Sequence, residues 1–158
     1  MSDLISKYQP TSMKQIVELA LPFLQMGRSA KFTVVGNSMF PLFRSNMDKV
    51  TVVQTKKVKK RDVILYRRSD GNYIFHRVVG KGKLGFKLCG DDQLDIEYPV
   101  KEEDVVAVMT SFERNGKETD VKNLWYRIYS FLWCISIKKR PLIFKTAYKL
   151  KKIFTRSN

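Results

Sequence analysis

Ser38 and His76 are the two side chains whose types and sequence settings could together carry out covalent chemistry. Ser38 lies in Gly36-Asn37-Ser38-Met39-Phe40-Pro41, directly after the apolar and β-branched run 32–35. The glycine before the serine and the proline after it predict a bent backbone that presents the hydroxyl at the end of a strand. A serine hydroxyl needs a base to become a nucleophile at neutral pH. His76 is the one histidine of the chain, and a sheet shared with its β-like run 73–79 could bring it near Ser38.

Three carboxylates follow the next glycine-rich stretch, at Asp91, Asp92 and Asp95. A buried aspartate can accept the second ring proton of His76, fix the tautomer of the ring and stabilise the imidazolium that forms when Ser38 loses its proton. One of the three could therefore complete a triad. The competing interpretation is that Asp91 and Asp92 are turn residues that hydrogen-bond to their own backbone.

Five motifs in one order carry a family resemblance. They are Gly36-Asn37-Ser38-Met39-Phe40-Pro41, Met47-Asp48-Lys49-Val50, Arg61-Asp62-Val63-Ile64-Leu65-Tyr66, His76-Arg77-Val78-Val79 and Gly90-Asp91-Asp92. This series resembles that of the type I signal peptidase and LexA-like serine peptidase superfamily, and it covers about residues 12 to 110. Because histidine stands where bacterial members have a lysine base, the chain is similar to the endoplasmic-reticulum and archaeal Ser-His branch.

The resemblance implies a β-rich serine endopeptidase with Ser38 as nucleophile and His76 as general base. It places a functional aspartate at Asp91 by motif, slightly preferred, or at Asp95 as the counterpart of a second aspartate that matters in the His branch. Gly36 stands where some relatives have a hydroxyl side chain that binds the oxyanion, so backbone N–H groups at Ser38 or nearby, aided by Asn37, would have to supply that stabilisation. No metal or cofactor is implied. The alternative function is a catalytically degenerate module that binds peptide or nucleic acid.

The surrounding sequence predicts how these residues are positioned. Ser12-Met13-Lys14-Gln15 predicts a capping box at the start of a helix that ends near Gly27, with Pro22 expected to kink or shorten it. The helix is expected to pack on the sheet, with membrane contact or substrate gating as alternatives. Strands are expected within 31–53, at 63–66, 73–79 and 86–89, and as a closing strand within 100–109, with a hairpin turn at 69–72.

The charge of the chain is unusually positive. Its 158 residues are 44% apolar, enough for one core, and the formal net charge is +15. Such a charge indicates an anionic partner, either nucleic acid or an anionic membrane leaflet, or a strongly hydrated surface. The first residues, 1–11, are expected to be a flexible segment without a signal peptide or membrane anchor, which favours a cytoplasmic location.

Much of the charge lies in the carboxyl-terminal region 111–158, expected to be a helical tail outside the catalytic domain 12–110. Residues 124–137 are apolar and aromatic but are interrupted by Arg127 and are shorter than a spanning helix of about 20 residues. Residues 138–158 contain eight Lys or Arg and no acid. This pattern favours amphipathic segments, within 124–154, at the inner face of a membrane, with packing on the sheet and nucleic-acid binding as alternatives.

Overall fold

The computed structural model describes residues 12–55 and 57–140. Within these ranges the chain is mainly β, with eight antiparallel strands in one sheet and two α-helices, which confirms the predicted β-rich class. The elements are α1 (Met13–Gln25), β1 (Ala30–Thr33), β2 (Lys49–Val53), β3 (Val63–Arg67), β4 (Tyr73–Gly82), β5 (Gly85–Cys89), β6 (Glu97–Val100), β7 (Val105–Arg114), β8 (Lys117–Asp120) and α2 (Leu124–Ile135), with short 3₁₀ turns at Glu102–Asp104 and Ile137–Lys139.

The strand order is β1-β2-β7-β3-β4-β5-β6, and β8 pairs with β7. Apolar side chains cover both faces of the sheet. Strand β3 makes this visible, because Val63 and Leu65 join one buried cluster while Ile64 and Tyr66 join another. Successive residues of a strand point to opposite faces, so a fully apolar strand of this kind belongs in the middle of a covered sheet.

Helix α1 packs on the first of these clusters. Ser12 is its N-cap, and the Ser12 hydroxyl accepts a hydrogen bond from the Gln15 N–H over 3.4 Å, as the capping pattern predicts. Pro22 lies inside the helix, which nevertheless continues to Gln25. The buried face consists of Ile16, Val17, Ala20 and Leu24. This apolar face fixes α1 against the sheet beside the segment that carries Ser38.

The carboxyl-terminal region differs from the expected separate tail. The boundary expected at residue 110 falls inside β7, and α2 places Tyr126 in the first buried cluster. Within the described part of this region, Tyr126 therefore packs on the sheet, which is the packing alternative. In the described part of the chain, no helix is both long and apolar enough to cross a bilayer. The expectations for segments 1–11 and 141–158 and for Lys56 lie outside the described residues.

Candidate active site

His76 and Arg77 are neighbours on β4, so their side chains point to opposite faces of the sheet. The cross-strand partner of His76 is Ile64 of the second cluster, whereas Arg77 lies opposite Val63 of the first. Both side chains are fully buried. Because a buried polar or charged group is costly without partners, each of the two must be satisfied on its own side of the sheet.

Ser38 and His76 line the same cleft, which has a volume of roughly 170 Å³. Among the described residues, strand β5 pairs with residues 77–82 of β4 and leaves residues 73–76 unpaired on that side. The cleft lies beside residues 73–76. The Ser38 hydroxyl donates a hydrogen bond to the Phe75 carbonyl over 3.5 Å, the long limit for such a bond. The remaining lining is largely apolar and includes Met13, Val34, Val35, Met39 and Ile74. The structure thus brings the two predicted catalytic side chains to one small cleft.

Two side chains lie against Nδ1 of His76, Tyr66 within hydrogen-bond geometry and Glu97 at ion-pair distance. Tyr66 Oη lies 3.1 Å from this nitrogen, and Glu97 Oε1 lies 3.2 Å from it. The Tyr66 hydroxyl donates its own proton to Glu97 Oε2 over 2.6 Å, so both groups facing Nδ1 act as acceptors and Nδ1 carries a hydrogen. The neutral ring then has its lone pair on Nε2. Among the described residues this buried Nε2 has no hydrogen-bond partner, so His76 is held in a tautomer that can accept a proton there.

Glu97 is held in turn by Arg68. Arg68 Nε donates to Oε2 over 3.0 Å, and Nη2 donates to Oε1. Burial disfavours the carboxylate, but the hydrogen bonds from Arg68 and Tyr66 outweigh it and lower the pKa of Glu97. Burial also lowers the pKa of His76 to about 4, against the attraction of Glu97. At neutral pH the site therefore combines an ionised carboxylate with a neutral imidazole.

The expectation that Asp91 or Asp95 orients His76 is not met. Asp91 is fully buried and forms a two-point ion pair with Arg77, with 2.8 Å from Nε to Oδ1 and 2.7 Å from Nη2 to Oδ2. Tyr129 donates a further hydrogen bond to Oδ2 over 2.9 Å. The physical reason is the alternation of β4, because the carboxylate that serves Arg77 lies on the other face from His76. Asp95 is exposed, and neither a hydrogen bond nor an ion pair joins it to His76 among the described residues.

The Gly90–Asp92 motif instead holds the backbone of Ser38. The Asp92 N–H donates to the Ser38 carbonyl over 2.9 Å. A Cβ on Gly90 would lie 2.5 Å from the same carbonyl oxygen, so only glycine fits this close approach. Arg140, also fully buried, donates to the carbonyls of Gly90 and Gln93 over 2.6 and 2.7 Å and ties the loop to the end of the described chain.

The predicted oxyanion donors are not equally available. The Gly36 N–H donates to Ser45 Oγ over 3.0 Å, so it is already engaged. In the described part of the chain, the Ser38 N–H has no recorded hydrogen-bond acceptor, and the Asn37 side chain is exposed beside the cleft. Gly36 has φ of 105°, a value that favours glycine. Its role is therefore to bend the chain before Ser38, while Ser38 N–H and Asn37 remain as candidate donors.

Comparison with family models, with curated proteins and with solved structures gives no match. The family resemblance therefore stays a prediction from the motif series. Sequence reasoning missed Tyr66, Arg68 and Glu97. A signal for Tyr66 is a hydroxyl at the end of the otherwise apolar run 63–66, a position that requires a buried partner. For Glu97 the signal is weaker, since it is the acid two residues after Asp95 on the strand that leads away from the loop.

Proposed function

We propose that the chain is a serine endopeptidase that uses Ser38 as nucleophile and His76 as general base. The observation that carries this proposal is the shared cleft in which the Nδ1 side of His76 is held by Tyr66 and ionised Glu97. This arrangement leaves Nε2 as the ring nitrogen that can accept a proton, and the Ser38 hydroxyl, which bonds to the Phe75 carbonyl, must turn toward it. Glu97 takes the role that the sequence assigned to Asp91 or Asp95, so the triad is Ser38, His76 and Glu97.

In the first half of the reaction, Ser38 Oγ attacks the carbonyl carbon of the scissile peptide bond and its proton moves to His76 Nε2. The imidazolium that forms is stabilised by the negative charge of Glu97, which is 3.2 Å from Nδ1. The Ser38 N–H and Asn37, which line the cleft, are the candidate donors to the developing oxyanion. Collapse of the tetrahedral intermediate transfers the proton from Nε2 to the leaving amine and leaves an ester on Ser38.

In the second half, water replaces the amine. His76 Nε2 takes a proton from the water as it attacks the ester carbonyl, and then returns that proton to Ser38 Oγ as the acid product leaves. The buried ring has a pKa of about 4 without substrate. A weakly basic imidazole forms a strongly acidic imidazolium, so Glu97 must offset part of the energy of the charged form during each proton transfer.

The substrate class is a peptide or a precursor protein from which a leader is removed. Within residues 12–55 and 57–140, strand β1 is at one end of the strand order and pairs only with β2. The chain runs directly from β1 through Val34 and Val35 into the cleft. An extended peptide can therefore lie alongside this edge and place one bond near Ser38.

The proposal is tested with the purified full chain, a serine-directed acylating probe and a mixture of candidate precursor peptides. Intact mass should increase by one probe adduct at Ser38, and mass spectrometry of the peptides should show discrete cleavage. Ser38→Ala and His76→Gln should each abolish both signals, because nucleophile and base act as a unit. Ser69→Ala, in the exposed hairpin turn, is the matched control and should retain both.

The long hydrogen bond from Ser38 to the Phe75 carbonyl favours one second candidate, a module that binds peptide without cleaving it. That function predicts peptide binding by the unaltered chain, no cleavage and no probe adduct. Undiminished cleavage by the Ser38→Ala variant would sink the peptidase proposal outright.

A further inference from the structure

Helix α2 has two contrasting faces, and its inner face is fully used. Ser130 Oγ accepts a hydrogen bond from Arg77 over 3.0 Å, and Trp133 Nε1 donates to the Asp91 carbonyl over 3.0 Å. Tyr126, Ser130 and Trp133 are buried. These contacts fix the rotation of the helix about its axis, so the opposite face is held in a defined direction.

The opposite face, called here the outer face, is apolar and exposed. It consists of Leu124, Trp125, Ile128, Phe131, Leu132 and Ile135. Their spacing of three or four residues places them in one continuous stripe. Trp125 is 77% exposed, Leu124 65% and Ile135 64%, values far above those of packed side chains. Packing on the described core therefore does not account for this second apolar stripe.

The surroundings of the outer face are cationic. Lys122, Arg127, Lys138 and Lys139 are exposed, and the Arg61 guanidinium lies 5.8 Å from the ring centre of Phe131. The sequence has no Asp or Glu from residue 121 to residue 158. An apolar stripe with aromatic residues and a border of Lys and Arg is the pattern of a helix that lies in the plane of an anionic lipid surface.

We propose that the outer face of α2 binds an anionic bilayer, with the helix parallel to the surface. Charge complementarity favours an anionic bilayer over a second copy of the chain, and the apolar stripe favours it over nucleic acid. A second copy of the chain would bring two sets of Lys and Arg together. Nucleic acid would match the charge, but it offers no apolar phase for Leu124, Ile128, Leu132 and Ile135. Because the inner face holds Asp91 and thereby the loop against Ser38, bilayer binding fixes the orientation of the cleft relative to the membrane.

The test uses the full chain and vesicles of phosphatidylcholine, either alone or with a quarter of phosphatidylglycerol. Co-flotation should require the anionic lipid and should weaken as salt rises. Trp125 fluorescence should shift to shorter wavelength on binding, and Trp125→Phe should remove that shift, because Trp133 is already buried. The double variant Trp125→Ser and Phe131→Ser should lower the apparent affinity at least about tenfold, since burial of the outer face supplies the apolar part of binding.

Leu84→Ser with Leu94→Ser is the matched control, because both leucines are exposed and lie outside α2. This control should bind as the unaltered chain does, and circular dichroism should show every variant folded. Equal flotation with neutral and anionic vesicles overturns the proposal. So does unchanged binding by the Trp125 and Phe131 double variant, which would assign binding to other basic segments. The proposal is also overturned if light scattering shows a dimer that is lost in the double variant. It is overturned as well if the chain binds RNA but not vesicles. Membrane binding and Ser38 labelling are measured separately, so one can fail while the other holds.

Discussion

Glu97 Oε1 lies 3.2 Å from Nδ1 of His76, although sequence motifs direct attention to Asp91. We predict that Glu97→Gln lowers kcat by about 10³ to 10⁴ with a small change in KM, because a neutral amide cannot stabilise the imidazolium. Asp95→Asn, which changes an exposed carboxylate, is the control and should leave kcat unaltered. Steady-state kinetics on one peptide substrate measures both. A large loss in the Asp95 variant with none in the Glu97 variant would reverse the assignment.

The proposed role of His76 as base sets the pH dependence expected for cleavage. Burial lowers this pKa to about 4, and only the neutral ring can take the proton of Ser38. The value of kcat/KM should therefore rise with pH through about 4 and become flat above about pH 6. The pH dependence of kcat/KM reports the pKa of the free protein, which is the state that the structure describes. Glu97 favours the charged ring, so Glu97→Gln should move the limb to lower pH. A limb centred near pH 7, or a rate that falls as pH rises from 4 to 6, would contradict the assignment of His76 as base.

Much of the arrangement around Ser38 and His76 is predictable from sequence because it depends on local patterns. Glycine before Ser38 and proline after it predict the bend, and the turn at 69–72 predicts the hairpin that contains His76. The structure contains both features, with β3 and β4 paired so that Ile64 lies opposite His76. Local pattern was sufficient here because a hairpin is formed by neighbours in sequence.

The partners of His76 were not predictable in the same way. Glu97 reaches the ring only because β6 pairs with β5, which in turn pairs with β4, and each register includes an irregularity. A shift by one residue in a strand reverses the face of every side chain, so motif spacing alone cannot decide between Asp91, Asp95 and Glu97. The same holds for α2. Its sequence has aromatic residues on both the inner and the outer face, so the spacing alone does not decide which face packs on the core.

Asp91 is predicted to support the fold rather than the proton transfer. It is fully buried with Arg77, so Asp91→Asn leaves a buried guanidinium without its counter-charge and should lower the free energy of unfolding by about 3 to 5 kcal/mol. Urea denaturation at pH 7 measures this loss. Glu102→Gln breaks the exposed Lys81–Glu102 pair instead and should change the free energy of unfolding far less, because solvent screens an exposed ion pair. Equal effects in the two variants would contradict a structural role for Asp91.

The side chain of Met13, in the first turn of α1, reaches into the cleft where a substrate side chain would bind. Its Sδ accepts a hydrogen bond from the Val35 N–H over 3.4 Å, and its side chain lines the cleft with Ser38. A thioether is a weak acceptor, so the carbonyl of a bound peptide would be a better partner for the same N–H. Met13 therefore occupies space that an extended substrate beside Val35 would use.

We predict that Met13→Ala favours peptides with a larger side chain next to the cleaved bond. The ratio of kcat/KM for a large to a small side chain should rise by about tenfold or more, since each methylene-sized space changes discrimination by about 10- to 200-fold. Met13→Leu keeps most of the volume and loses the sulfur, so it should preserve the ratio. Leu19→Ala, on the exposed side of α1, is the control. Thermal melts establish that the variants are folded. If Met13→Leu alters the ratio as much as Met13→Ala does, the sulfur contact rather than the side-chain volume determines the preference. If neither variant alters the ratio, Met13 does not shape the substrate site.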